Sequence, residues 1–372
     1  MNTINLITHE FFPKRGGAGR VVEELAWAAN SIGKNVRVLA PKKDPARDWP
    51  FTVQAIPNRG SLGFGSCFRT YNTMRRLQSE FKDTVVHLAE PGPILACMYA
   101  QLTGFVPNAE KLILTFHGSE ILRFSRLTHQ RILLRKFVKH ADKVHFLSKA
   151  CRDMFLEFFE VEEDRIAVLP GAPHNPRRQA SGVLTLPDAS GKIVCLTVGR
   201  VHPRKGQHAC IDAMRRLPEQ LRSHIQYWIV GPVVDKTYCQ RLRDEAAQSG
   251  LDICFICEVD DGDLSLIYEQ AEIFIMTSVP YQQSVEGFGL VYLDAAKHGL
   301  PVIAHDIGGV AEAVQHGETG ILCDPANLDS LIKALRKLLE DKKVRVEMGA
   351  IGKKFSGKFS WEKLAQGLYG SC

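Results

Sequence analysis

The sequence predicts an α/β chain made of two doubly wound domains, each with a mainly parallel sheet. Three observations carry the prediction. Short apolar runs of strand length alternate with stretches of helical period along most of the chain. Several of those runs end in glycine-rich turns that open a helix. One polar stretch bearing proline and glycine divides the alternation into two series. At 372 residues the chain also exceeds the roughly 100–200 residues of a usual domain, so two cores are expected.

The first series begins with an apolar run at 4–8 and a glycine-rich turn. A helix follows over 19–31, with Val22, Leu25, Ala26 and Ala29 on one face and Gly33 as its stop. Strands follow at 36–40 and 85–88, a helix near 94–102, and a strand at 111–116. A long basic amphipathic helix, a strand at 143–147 and a strand at 166–169 close the series. Pro170-Gly171-Ala172-Pro173 and the polar residues to Gly191 read as a linker. The expected domains are 1–172 with about 359–372, a linker at 173–191, and 192–358. The second series runs strand 193–198, helix 207–217, strand 226–230, helix 238–248, strand 253–256, helix 264–271 and strand 273–277. A helix after Gly287, a strand at 302–304 and helices at 310–316 and 328–340 complete it. In such sheets ligands bind outside the carboxyl ends of the strands, so the strand-to-helix loops should hold the chemistry.

Composition excludes several classes. Apolar residues make up 45% and charged residues 24%, which leaves no place for a mainly disordered or collagen-like chain. No stretch of about 18 uncharged apolar residues occurs, and the N-terminus lacks a basic region followed by a cleavable apolar segment. A cytoplasmic protein, peripheral at most to the inner membrane face, is expected. The ten cysteines are scattered through apolar runs and read as small core residues in a reducing compartment. Cys254 and Cys257 form a CxxC without a second pair at zinc-ligand spacing.

Charge is uneven. Residues 1–190 carry 26 Lys and Arg against 18 Asp and Glu, whereas 191–372 carry 21 against 23. Between Arg123 and Lys143 the cations interleave with Leu127, Ile132, Leu133, Leu134, Phe137 and Val138. That pattern suits either an anionic lipid surface or a helix packed on its own core. The basic residues lack the aromatic interleaving of a nucleic-acid reader, so no nucleic-acid partner is expected.

Three loops carry the chemistry. The first, from Phe12 to Gly19, fits neither GxGxxG nor GxxxxGK[ST], yet its glycines open a helix whose free N–H groups suit an anion or sugar hydroxyls. The second runs from Val198 to Gly206 and places Arg200, Arg204 and Lys205 at the mouth of a sheet, where a fork donor and a point charge could grip a diphosphate. Arg204 is explained by solvent exposure alone; Arg200, directly after an apolar strand and Gly199, is not. The third sets Glu286 before Gly287-Phe288-Gly289-Leu290, a turn that opens a helix, with Asp294 eight positions on. Asp261-Gly262-Asp263 has the DxD pattern of metal-binding transferases but stands where an acid caps the next helix, so no metal is expected.

Gly199-Arg200-x4-Lys205-Gly206, Glu286-Gly287-Phe288-Gly289 with Asp294, the glycine-rich first loop, Phe116-His117-Gly118-Ser119-Glu120 and the terminal Phe359-Ser360-Trp361-Glu362 together resemble the retaining family-four glycosyltransferases. The resemblance spans nearly the whole chain. It implies the GT-B architecture, with two facing Rossmann-like domains, an interdomain cleft and a C-terminal helix crossing back to the first domain. It also implies a hexosyltransferase that needs no metal and no cofactor. The substrate would be a nucleotide sugar, UDP-linked first and GDP-linked second. The acceptor would be a glycan, a lipid-linked sugar or a small molecule in cell-envelope or polysaccharide synthesis. By the same resemblance Arg200 and Lys205 bind the donor diphosphate and Glu286 holds donor-sugar hydroxyls. Gly287, Phe288, Gly289 and Leu290 offer backbone N–H groups, and Asp294 faces the ribose. His117 lies beside the reacting sugar, and Gly16 and Gly17 approach the phosphate and the acceptor. Lys14, Arg15 and Glu120 are the acceptor contacts. The family usually has Glu at the position of Asp294, and the shorter Asp leaves a different nucleotide preference or a weakened activity open. For His117 a buried structural histidine at a strand end is the alternative. A sugar-nucleotide epimerase and a non-catalytic nucleotide-binding scaffold share the architecture.

Overall fold

A computed structural model describes residues 3–12, 16–41, 47–57, 62–177, 184–257, 259–282 and 284–370. The chain divides into two units, Met1–Gly171 with Ser360–Cys372, and Ala172–Phe359.

The first unit has a seven-stranded parallel sheet: β1 (Thr3–Ile7), β2 (Asn35–Ala40), β3 (Thr52–Ala55), β4 (Val85–Leu88), β5 (Lys111–Phe116), β6 (Lys143–Phe146) and β7 (Ile166–Val168), in the order 3-2-1-4-5-6-7. Central strands are buried on both faces because helices cover both, as in β4, where every residue, His87 included, is buried. The edge strand β3 was not legible in the sequence: it is four residues long and only Val53 is buried. Helix Phe64–Arg76 was also missed; it is polar along most of its length and buries only Ser66, Cys67, Thr70 and Met74.

The expected long basic helix is two helices. Ser119–Arg126 and Thr128–Phe137 are separated by Leu127 in an extended conformation, φ −86° and ψ 115°. The break lets Ile121 and Phe124 enter the core from one direction and Leu133, Leu134 and Phe137 from another, while Leu127 and Ile132 face solvent.

The terminal helix Trp361–Tyr369 packs on helix Gly17–Ser31 and belongs to the first unit. Ser360 caps its start, accepting the Lys363 N–H at 3.3 Å. Lys111 and Lys143 donate to the last-turn carbonyls of Leu368 and Gly367, at 3.1 and 3.2 Å. A buried chain of hydrogen bonds then fixes it to the sheet. His145 Nε2 can only donate to the Leu169 carbonyl, 2.8 Å away, so in the neutral ring Nδ1 accepts from the Thr115 hydroxyl at 2.9 Å. The Thr115 oxygen accepts from His87 Nε2 at 2.6 Å, and His87 Nδ1 accepts from Tyr369 Oη at 2.6 Å. Every proton in the chain is thereby assigned, provided both rings stay neutral. Burial favours that state: it pushes His87 well below the ordinary histidine value and brings His145 down to about 4.

The second unit has a six-stranded parallel sheet: β8 (Ile193–Val198), β9 (Ile225–Val230), β10 (Asp252–Ile256), β11 (Ile273–Met276), β12 (Val302–His305) and β13 (Gly320–Cys323), ordered 10-9-8-11-12-13. The order reverses between β8 and β11, the switch point where such sheets bind ligands. β13 escaped sequence reasoning because it is short and opens on Gly320, whose hydrogen leaves room for the Val302 carbonyl only 2.4 Å from where a Cβ would stand.

Of the stretch expected as a linker, 178–183 lies outside the described residues, and the whole of 173–191 divides with the second unit. None of the nine described cysteines forms a disulfide, and all but Cys254 and Cys257 are buried.

Candidate active site

The loops after β8 and β11 build the best-defined cluster. Beyond Gly199 the chain turns through the short 3-10 segment Pro203–Lys205, and His202 Nδ1 accepts the Arg204 N–H at 3.1 Å to start it. Gly206 ends it at φ +70°, with the Thr277 carbonyl 1.9 Å from where a Cβ would stand, so only glycine fits. This tight turn places Arg204 and Lys205 beside the end of β11. Glu286 is delivered from the opposite side. Its carbonyl accepts the Gly309 N–H at 3.1 Å, and Gly308 at φ +52° approaches the same oxygen too closely for any side chain.

Three donors meet one oxygen there. Glu286 Oε2 lies 2.8 Å from Arg204 Nη1, 2.8 Å from Lys205 Nζ and 3.0 Å from Ser278 Oγ. The Arg204, Lys205 and Glu286 side chains are only 10%, 11% and 12% exposed. Burial alone would raise the Glu286 carboxyl, but the Lys205 and Arg204 charges and the hydrogen bonds from Lys205 and Ser278 outweigh it and hold the group at about 2. Lys205 moves the other way: burial, with the charges of Arg204 and Arg200, pulls its ammonium below the ordinary lysine value despite Glu286. The pair is therefore worth less than the carboxylate alone suggests. Two cations on one carboxylate leave a net positive charge, which suits an anion.

The sequence reading of Arg204 needs correcting: it is a buried member of this cluster, not an exposed side chain. Arg200 is the exposed one, and its charge also depresses His202. Ser278 was not anticipated either; a single serine after a strand gives no signal by itself.

Gly287, Phe288 and Gly289 are buried, and Leu290 starts helix Leu290–Lys297. The Phe288 ring packs on Phe359 at 6.1 Å, so any ligand contact from residue 288 is through its backbone. Asp294 is 3% exposed, and its Oδ1 accepts the His174 N–H at 2.7 Å, while Lys297 Nζ holds the His174 carbonyl at 2.7 Å. One oxygen of the carboxylate expected at the ribose is thus engaged by the chain itself. Asp260, rather than either acid of the DxD, caps helix Asp261–Gln270; Asp261 and Asp263 sit in its first turn. Among the described residues no group of three or more His, Cys, Asp or Glu is placed to hold a metal ion.

In the first unit the carboxyl ends of β1, β4 and β5 gather a second set. His117 is half-buried and its Nε2 donates to the Ala89 carbonyl at 2.9 Å. Glu120, expected as an acceptor contact, is buried and turned inward: Oε1 accepts the N–H groups of His117 and of Gly118, the latter at 3.2 Å. Gly16 caps helix Gly17–Ser31, and its N–H donates to Glu10 Oε2 at 3.0 Å; around Gly17 there is open space. Lys14 and Arg15 lie outside the described residues. Glu90 was overlooked in the sequence, although Glu-Pro-Gly-Pro is a helix-start pattern. Its two oxygens accept the His9 and Gly92 N–H groups at 2.6 and 2.9 Å, and burial, aided by Glu10 and Glu120, pushes its carboxyl up to about 8.

Comparison with known proteins agrees with the fold. Residues 15–172 match Glycosyltransferase Family 4 and residues 186–355 match Glycosyl transferases group 1. A GDP-mannose-dependent alpha-(1-6)-phosphatidylinositol monomannoside mannosyltransferase of Mycobacterium tuberculosis is 29% identical over 388 residues, covering 99% of this chain and 97% of its own. A GDP-mannose-dependent monoacylated alpha-(1-6)-phosphatidylinositol monomannoside mannosyltransferase of Corynebacterium glutamicum is 30% identical over 70% of this chain and 69% of its own. Among solved structures, Anabaena HepE in complex with UDP and glucose superposes with a TM-score of 0.77 at 18% identity, covering 99% of this chain and 98% of its own. The two Rossmann-like units, each matched by a glycosyltransferase family model, make this a glycosyltransferase of GT-B architecture. The chain belongs to glycosyltransferase family 4.

Proposed function

We propose that the protein transfers a hexose from a nucleotide diphosphate sugar to a lipid-linked or glycan acceptor of the cell envelope, with retention at the anomeric carbon and without a metal ion. The observation that carries this reading is the convergence of Arg204 and Lys205 on Glu286 at the switch point of the second sheet. When the bond from the anomeric carbon to the β-phosphate oxygen breaks, its electron pair stays on the diphosphate. The Lys205, Arg204 and Arg200 charges and the N–H groups of Gly287 to Leu290 would offset that growing charge. Glu286, ionised at any physiological pH, would accept donor-sugar hydroxyls rather than move a proton. His117, its Nε2 held by the Ala89 carbonyl, would turn Nδ1 to a sugar hydroxyl, and Gly16 and Gly17 would approach the phosphate and the acceptor. Retention and metal independence follow from the family resemblance. The shorter Asp294 would serve the ribose only once the His174 segment has moved.

The family resemblance puts a UDP-linked donor first, while the names of the mycobacterial and corynebacterial relatives support GDP-mannose. The first experiment therefore offers both to the purified protein with a phosphoinositide glycolipid acceptor. Product formation, with the new linkage read as α by NMR from an α-linked donor and unchanged by chelator, is expected. A β product or an epimerised donor would refute the reading.

Peripheral contact with an anionic membrane through the first unit is part of the proposal. Phe64 and Phe68 are 81% and 52% exposed on the helix that also exposes Arg69, Arg75 and Arg76. Among the described residues no helix is long and apolar enough to cross a membrane. Sedimentation with anionic vesicles, lost in Phe64→Ser/Phe68→Ser, tests the contact.

A further inference from the structure

One guanidinium links the two sides of the first glycine-rich loop. Arg47, from the connection between β2 and β3, places its Cζ 4.3 Å from the Phe12 ring centroid and 4.4 Å from that of Trp49. Its Nη2 lies 2.6 Å from Glu23 Oε1, and the two side chains are 8% and 2% exposed. Phe12 stands on the entry side of the loop, and Glu23 belongs to helix Gly17–Ser31 on its exit side. Trp49 extends the clamp into the body of the unit through Phe11 at 5.0 Å, Phe51 at 5.3 Å and Trp27 at 6.2 Å. The Glu10 carboxylate closes the same turn by holding the Gly16 N–H.

Stability alone does not account for an ion pair buried this deeply, because an apolar pair of the same volume is usually as stable or more so. What the apolar pair lacks is direction. A flat guanidinium can stack on two rings while its edge donates to a carboxylate, and so fixes three elements in one orientation.

We propose that Arg47 is a positioning residue for sugar transfer, tying Phe12 to helix Gly17–Ser31 through Glu23 so that Gly16 and Gly17 meet the ligand in a fixed geometry. The inference rests on the reading that these glycines approach the ligand. It is tested with Arg47→Lys, which keeps a charge beside Glu23, and with Glu23→Leu/Arg47→Met, which removes both charges together. For each, turnover, KM, GDP and UDP binding and the thermal midpoint are measured beside the wild type. Both variants are expected to bind the nucleotide diphosphates within about twofold of wild type while kcat falls on the order of 100-fold, the scale of a misplacement near 1 Å. The double variant should regain the wild-type midpoint without regaining turnover. Wild-type kcat in Arg47→Lys, or turnover restored along with the midpoint in the double variant, overturns the inference. A wild-type protein that consumes no nucleotide sugar sinks the functional reading and this inference with it, whereas active Arg47 variants sink the inference alone.

Discussion

Replacing His145 by Gln should flatten the acid sensitivity of the first unit. Gln offers one acceptor and one donor, as the neutral ring does toward Thr115 and Leu169, but cannot take up a proton. In the wild type the unfolded chain binds a proton at His145 below the ordinary 6.5, while the folded chain refuses it until about 4. Between those values the unfolded state holds more protons, so stability rises with pH; it is complete above 6.5 and is lost as pH falls toward 4. At about 1.4 kcal/mol per pH unit the window is worth about 3 kcal/mol. Burial, the largest cause of the His87 depression, acts in both proteins and the His145 charge only adds to it, so most of the His87 contribution is common to the two. Urea unfolding would be followed by tryptophan fluorescence in a Trp228→Phe background, which confines the signal to Trp27, Trp49 and Trp361 of the first unit. Between about pH 7 and pH 4 the wild type should lose about 3 kcal/mol more than the variant. Parallel curves would refute the proton assignment of the chain and the neutrality of His145 with it.

At the active site, Lys205→Ala and Arg204→Ala should each lower kcat/KM for transfer by about 2–5 kcal/mol in free energy, the cost of a lost charged contact; wild-type kinetics in either removes that residue from the mechanism. Because Glu286 is held at about 2, its ionisation should leave no limb in the pH profile of kcat above about pH 4. A limb in that range that vanishes in Glu286→Gln would contradict the ion cluster. Gly308→Ala must clear the Glu286 carbonyl, 2.2 Å from the new Cβ, and leave a positive φ, a strain of about 1–3 kcal/mol. A lower thermal midpoint and weaker donor binding are expected together, and calorimetry reads both.

The elements read most directly in the sequence are the central strands. β4, β8 and β9 are mainly apolar runs, each with a single polar residue (His87, Thr197 and Gln226), because helices cover both of their faces, and such a run fits little besides a buried strand. β3 and β13 are four-residue edge strands, the first half polar and the second opening on Gly320, and local pattern cannot tell them from loop. The break at Leu127 was hidden because both helices keep apolar residues at helical spacing. Lys205 and Glu286 were legible through spacing that survives in the sequence, whereas Arg204 was misread because its burial depends on a carboxylate 82 positions away. Glu120 and Asp294 show the same limit: the residue type marks a carboxylate, but nothing in the local pattern tells that backbone N–H groups engage one oxygen of each.

The chain leaves the first unit after Gly171 and returns to it at Ser360. The second unit is thus an uninterrupted insert, framed by sequence that belongs to its host. A gene segment running from codon 172 to codon 359 would move the whole cation–carboxylate cluster into another member of the family, whereas the host unit can never be cloned as one fragment. Chimaeras that exchange this insert need two seams and no more, and their sugar preference would report which half of the molecule chooses the donor.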